Sequence, residues 1–445
     1  MMPIARLQRL WKGLSEQLWF KPAWWGVLAT AVALMGSIAN RFIAEDLVPD
    51  IGRDTLQGLL TIIASSMLAV STFSLSILVQ AFSSAASSAS PRALRVIMAD
   101  DNAQTAIAAF ISAFIYSVIA LMALGVGYYG AAGRFVLLLF TVVVMINVII
   151  MLIRWINTLS RLGRMGYTID RVEHVAVKAM LAYQAQPLLG GRALPEGGQT
   201  AGMQVHAACS GHIQHIDMEG LQQLAEAEHA DIHVLVRPGN FVCVGQPIAR
   251  WAMRQAEVEH DRHTPETDAD RQEKVRGFIE VAADRDFNQD PRFGIVVLGE
   301  IGQRALSAAV NDGGTAIAVA GALARVLADC GSSASAPAAE PAEIPYPRVF
   351  VPVLDQADFI RDSFIPLQRD AGGMFEVQMF FIKVLNGIAH AHPDSAMADE
   401  ARRVAWAGWL QARDKLSLST EQAQLEQAAR EVAGRWSEYT DTSTC

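Results

Sequence analysis

The chain has 445 residues, of which 52% are hydrophobic and only 18% charged. Soluble domains carry about 25% charged residues, so this balance points to a lipid environment. The net charge of −9 at pH 7 argues against the concentrated basic surface that nucleic-acid binding requires.

In chain order, four stretches have the roughly 20-residue apolar length that a bilayer core demands: residues 22–39, 59–82, 105–128 and 135–153. The first follows Arg6, Arg9, Lys12 and Lys21 and resembles a signal peptide. Its long apolar core and the interfacial pair Trp24-Trp25 favour a retained helix. Basic residues flank the first and last spans: the four above, then Arg154, Arg161, Arg164, Arg171 and Lys178. The loop after the first span is acidic, with Glu45, Asp46, Asp50 and Asp54. By the positive-inside rule both termini, and everything after about residue 160, are expected in the cytoplasm.

Beyond the spans, residues 159–202 read as a juxtamembrane helix and a linker. A small β-rich domain is expected over 203–251, with turns at Pro238-Gly239 and Gly245-Gln246-Pro247 and a short helix at "EGLQQLAEAEH". A polar connector (252–276) leads to a helical segment (277–330). An Ala/Pro/Ser-rich linker (331–347) precedes a helical region over 348–436. The expected fold class is therefore membrane all-α, four transmembrane helices, joined to an α+β cytoplasmic region with a small β-rich domain and a helical C-terminal part.

The second span is the unusual one. At 100° per residue, Thr61, Ser65, Ala69, Thr72, Ser76, Gln80 and Ser83 fall within an arc of about 100°. Two explanations fit. Small hydroxyl residues let helices pack closely and bond to their own i−4 carbonyls. Alternatively Thr61, Ser65, Thr72, Ser76 and Gln80 line a watery path closed by repetition around an oligomer axis. No Asp, Glu, Lys or His lies inside the four spans. That argues against coupled pumping and intramembrane proteolysis, which place ionisable groups at the midplane. Asn147 in the fourth span is expected to hold helices together.

Several motif matches fail on context. "GVGYYG" (125–130) fits G-x-G-x-x-G but ends a membrane helix. "DRDFNQD" (284–290) opens like a calcium loop, but Gln289 and Ile295 stand where Gly and Glu belong. The histidines lack ligand spacing, and Cys209, Cys243, Cys330 and Cys445 form no C-x-x-C pair. No catalytic residue, metal or cofactor is expected. What is left is residues 285–317: Gln289 and Asp290, then Arg304, Ser307, Asn311, Asp312 and Thr315. Asn311-Asp312-Gly313-Gly314 signals a turn with Asp312 or Thr315 capping the next helix, and Arg304 would pair with a carboxylate. The functional alternative is a small-ion site at a helix N-terminus.

The hydroxyl-rich span ending "FSSAASSASPRALR", then "RPGNFVCVGQPIA", then "QDPRFGIVVLGEIGQRALSAAVNDGGTAI", in that order, resembles the bacterial predicted membrane protein family called domain of unknown function two-two-five-four. The resemblance covers about residues 20–420 and implies an inner-membrane protein with four N-terminal spans and a large cytoplasmic region. It implies no activity. Family members typically read Arg-Ala-Leu-Ser-Pro and Asn-Asp-Pro, whereas Ala308 follows Ser307 and Gly313 follows Asp312 here. Losing two prolines is expected to loosen that loop.

Two functions compete. One is a passive, homo-oligomeric channel for small ions or solutes, gated by the cytoplasmic region. The other is a membrane-anchored scaffold or sensor whose cytoplasmic part binds a partner or small ligand. Expected partners are the lipid bilayer, further copies of the chain and an ion or small solute, not nucleic acid.

Overall fold

A computed structural model describes residues 20–35, 49, 51–98, 101–161, 163–195, 202–253, 268–329 and 344–438. The chain divides into two compact units, Met1–Tyr167 and Thr168–Cys445.

The first unit is helical: α1 (Phe20–Met35), α2 (Arg53–Ser88), α3 (Pro91–Met98), α4 (Asp101–Gly125) and α5 (Ala131–Leu159). Three stretches are long and apolar enough to cross a membrane: Arg53–Ser84, Ala103–Gly125 and Ala131–Leu159. The remaining expected span differs. Its described helix, α1, has 16 residues, about 24 Å at 1.5 Å per residue against a core of about 30 Å. Residues 36–39 of that expected span lie outside the described residues.

Helix α4 is the hub of this unit, packing against α1, α2 and α5. Its buried face repeats small residues, Ala106, Ala113, Ala120 and Ala123, between Phe110 and Tyr116, which lets neighbouring backbones approach closely. The same device works from α1, where a Cβ on Gly26 would sit 2.8 Å from Ile115 Cδ1. Tyr116 Oη lies 3.1 Å from Thr141 Oγ1, bridging α4 and α5. The Tyr129 hydroxyl donates to the Ala33 carbonyl at 2.7 Å. "GVGYYG" closes α4 as a paired C-cap: Tyr128 N–H reaches Ala123 O (3.0 Å), Gly127 N–H reaches Leu124 O (3.1 Å), and Gly127 takes φ +73°.

The second unit opens with α6 (Met165–Ala185) and continues β1 (Arg192–Ala193), β2 (Met203–His206), β3 (Gly211–Ile216), α7 (Met218–Ala227), β4 (Ala230–Val234), β5 (Phe241–Val242), β6 (Pro247–Met253), α8 (Asp268–Arg276) and β7 (Ile279–Ala282). Then follow α9 (Pro291–Leu306), α10 (Gly313–Ala324), β8 (Val349–Val351), α11 (Ala357–Ala371), α12 (Phe375–Ala391), α13 (Ala396–Ala412) and α14 (Ser419–Ala433). Five strands form one sheet in the order β1-β8-β4-β6-β2, and three form another, β5-β3-β7. The expected β-rich stretch 203–251 thus supplies only part of the sheets. β1, β7 and β8 come from outside it, because two- to four-residue strands carry too little periodicity to stand out in a sequence. Ile213, Ile216, Leu221, Ile232, Val234, Ile248, Trp251 and Val349 form the core beneath.

Helix α9 organises the helical part, and its glycines set the distances. A Cβ on Gly294 would lie 2.5 Å from Ala176 Cβ of α6, and one on Gly302 would lie 2.5 Å from Leu367 Cδ2 of α11. A guanidinium fork adds to this contact: Arg292 donates from Nε and Nη2 to Asp362 (2.7 and 3.0 Å) and from Nη1 to Asp358 (2.7 Å), both on α11. Removing it leaves Asp362 without its cation and Asp358 with Arg361 alone. Because these side chains are partly exposed, screening limits the loss. Arg292→Ala is expected to destabilise the α9–α11 contact by about 1–2 kcal/mol. Hydrogen exchange in the whole protein should show faster exchange of α11 amides, with α4 unaffected.

Candidate functional site

The hydroxyl stripe of α2 falls where the protomer does not use it. Leu56, Leu60, Ile63, Met67, Ser74 and Leu78 are the buried side of the helix. Thr61, Ser65, Thr72, Ser76 and Gln80 are exposed, and their mean azimuth lies roughly 180° from the buried set at 100° per residue. Four hydroxyls return to their own helix: Thr61 Oγ1 to Gln57 O (2.7 Å), Ser65 Oγ to Thr61 O (2.9 Å), Thr72 Oγ1 to Leu68 O (2.9 Å) and Ser76 Oγ to Thr72 O (3.0 Å). Each keeps acceptor capacity outward. Leu68 and Leu75 flank the stripe on one side and Phe73 on the other, Val79 and Ile62 share the azimuths of its edge residues Thr61 and Gln80, and all five are exposed. The stripe therefore does not serve helix packing among the described residues of one protomer.

Asn147 does not join helices, contrary to expectation. It is exposed and lines a groove of about 350 Å³ with Trp25, Leu28, Ser112 and Phe140. The hydroxyls that bridge α4 and α5 are those of Tyr116 and Thr141 instead.

The motif residues of the second unit separate into two places. Gln289 and Asp290 stand at the start of α9, and Arg304, Ser307, Asn311, Asp312 and Thr315 at or beyond its end. A 16-residue helix is about 24 Å long, so the two groups cannot share one small ligand.

At the first place, the Gln289 amide pairs with the backbone of Ile216: N–H to Oε1 at 2.9 Å and Nε2 to the carbonyl at 3.3 Å. Asp290 is buried and caps α9, accepting from Arg292 N–H at 3.1 Å. It also binds Arg285 through Nε (2.8 Å) and Nη2 (2.7 Å). Asp286 of the calcium-like run is occupied too, accepting from Phe287 N–H (2.7 Å) and Asn288 Nδ2 (2.6 Å).

At the second place, Ser307 Oγ donates to Arg304 O at 2.7 Å and Asn311 N–H to Ser307 O at 2.8 Å. Asn311 adopts φ +53°, a conformation its short polar side chain tolerates. Asp312 caps α10, accepting from Thr315 N–H (3.0 Å) and Thr315 Oγ1 (2.6 Å). The Arg304 guanidinium is exposed and makes no ion pair among the described residues. The carboxylate expected for it is absent there, and its position in the last turn of α9 is favourable to the helix dipole.

One residue beside the first place escaped the sequence reading. Arg237 opens "RPGNFVCVGQPIA", is 5% exposed, and borders a cavity that Gln289 also lines. The available signal was a single cation ending the apolar run "IHVLV".

Three apolar helices of crossing length, joined to a separately packed α+β unit, define a polytopic membrane protein. The chain belongs to the family described as predicted membrane protein (DUF2254), whose model matches residues 15–387. No curated protein and no solved structure matches it.

The Asp312 carboxyl is held below its ordinary range by the Thr315 hydroxyl and then the Thr315 amide. A depressed carboxylate adds stability above its unfolded pKa and loses it as pH falls through the folded one. Asp312→Ala should cost about 1 kcal/mol, lowering protection factors in the first turn of α10. Asp312→Asn should keep most of the cap at neutral pH and remove the loss of protection that the native protein shows on acidification.

Proposed function

We propose that this is an inner-membrane protein that crosses the bilayer four times, with both termini and the second unit in the cytoplasm. It assembles as a homo-oligomer in which α2 helices surround a passive route for small ions or solutes. Thr61, Ser65, Thr72, Ser76 and Gln80 line the route, and the cytoplasmic region gates it. The chain performs no chemical step. The observation that supports this reading is the orientation of the stripe: it is exposed on the protomer and opposite the face that packs on α4. Symmetric copies placed around an axis would bring such stripes together. The absence of acidic, lysine and histidine side chains from the spans fits passive rather than coupled movement.

Leucine at positions 72 and 76 is favourable in a lipid-facing helix, so the double variant Thr72→Leu/Ser76→Leu should insert and fold normally. Ion and small-solute flux into liposomes holding the purified protein is expected to fall at least tenfold in that variant. Equal flux in the two proteins, or none in the native one, would leave the membrane-anchored scaffold or sensor as the better reading.

A further inference from the structure

We propose that the cavity at Arg237 binds a small organic monocarboxylate, with the guanidinium as its anchor. The cavity lies wholly within the second unit, so the proposal stands whether or not the α2 stripe conducts.

The first observation is a buried cation whose hydrogen bonds go to neutral groups, with no direct ion pair among the described residues. Arg237 is 5% exposed. Its Nη1 donates to Pro352 O at 2.7 Å and its Nη2 to Pro187 O at 3.0 Å. Both acceptors are neutral carbonyls, and no carboxylate among the described residues forms an ion pair with it. A guanidinium carries five N–H donors, and buried charges in proteins are normally paired. The partly buried Arg292 and the exposed Arg361 of this unit follow that rule, while the partly buried Arg348 donates to the Ala225 carbonyl. Arg292 holds Asp358 and Asp362, and Arg361 holds Asp355, Asp358 and Glu400. Asp290 attracts Arg237 through space but spends its hydrogen bonds on Arg285 and the α9 cap. The charges respond accordingly. Carboxylate partners outweigh burial and raise Arg292 and Arg361 above the usual arginine range, whereas at Arg237 burial outweighs the pull of Tyr183 and Asp290 and lowers it.

The second observation is room beside that cation. A cavity of about 300 Å³ is bounded by Arg237, Tyr183, Gln186, His215, Asn288 and Gln289. This is the lower end of small-ligand sites. Tyr183 is a neutral hydroxyl there, raised by burial against the opposing pull of Arg237. The turn that carries Arg237 is fixed from several sides. Asn240 Oδ1 accepts from Arg237 N–H at 2.8 Å, and Gly239 N–H donates to Ile213 O at 2.8 Å. Gly239 has φ +92° and abuts the Asp290 carboxylate, leaving no space for a Cβ. The guanidinium is thus presented on a rigid support, which favours binding because little ordering remains to be done.

Charge then narrows the ligand. The planar guanidinium fork matches a carboxylate. Asp217 and Glu219, at the start of α7, also line the cavity, so one negative charge is accommodated and two are penalised. A monocarboxylate fits with or without an ammonium group that could face those acids.

The test is isothermal titration calorimetry on the full-length protein in detergent, at constant ionic strength, with propionate, alanine and inorganic phosphate as probes. Saturable binding is expected for propionate or alanine, with phosphate at least tenfold weaker. The preferred one of the two shows whether the ammonium group takes part. Arg237→Met should abolish the binding. Since Arg237 also ties Pro187 to Pro352, a second variant guards against a folding defect. Glu219 is exposed, so Glu219→Gln should leave thermal unfolding unchanged and tighten propionate roughly two- to threefold by removing a nearby like charge. The proposal is overturned if neither carboxylate binds, if phosphate is preferred, or if Glu219→Gln leaves affinity for the bound carboxylate unaltered.

Discussion

The seam between α2 and α4 governs the membrane unit. Leu56, Leu60, Ile63, Met67 and Leu78 commit one side of α2 to the small-residue face of α4. A straight helix has one opposite side, and in this chain that side carries the hydroxyls. With their protons given to i−4 carbonyls, these groups tolerate lipid at modest cost, yet they still offer lone pairs to water or to an ion. The proposed conduit follows from that combination. A helix whose polar side was spent on packing would have nothing left to present to a second copy.

The second unit relies on close approach instead. Glycines on α9 bring α6 and α11 within backbone distance, and arginine forks fasten the contacts that result. Arg325, which opens a π-helical turn after α10, holds Glu173 of α6 through two bonds of 2.6 and 2.7 Å. Arg237 differs from Arg292, Arg325 and Arg361 in being buried and in meeting carbonyls where those three meet carboxylates. That contrast within one fold gives the cavity its chemical meaning. The residues most prominent in the sequence, Gln289 and Asp290, hold the frame around it: one pairs with the end of β3 and the other caps α9.

Much that was legible in the sequence was local. The three crossing helices, the stripe on α2, the glycine closure after α4, the short helix α7 and the turn before α10 each arise from residues within a few positions of one another. Longer-range features were not legible. β1 and β8 are two and three residues long and pair across about 160 positions, which no short window can reveal. The motif at 289–315 read as one constellation because it is contiguous, yet a helix of 16 residues holds its ends apart. Arg237 was hidden for a similar reason: its acceptors are Pro187 and Pro352, and its lack of a carboxylate is a fact of three dimensions. Asn147 was misjudged because residue type alone does not tell which face of a helix meets a neighbour.

The account rests on water reaching the outward side of α2 in the assembled protein. The most direct measurement is a cysteine-accessibility scan in lipid vesicles, starting from a chain whose native cysteines have been replaced. Single substitutions Ser65→Cys, Thr72→Cys and Ser76→Cys would be compared with Leu75→Cys and Phe73→Cys, exposed positions outside the stripe on either side, for reaction with a charged, membrane-impermeant thiol reagent. The account predicts modification at 65, 72 and 76 and protection at 73 and 75. Uniform protection along the helix, or equal reaction on both sets, would contradict it.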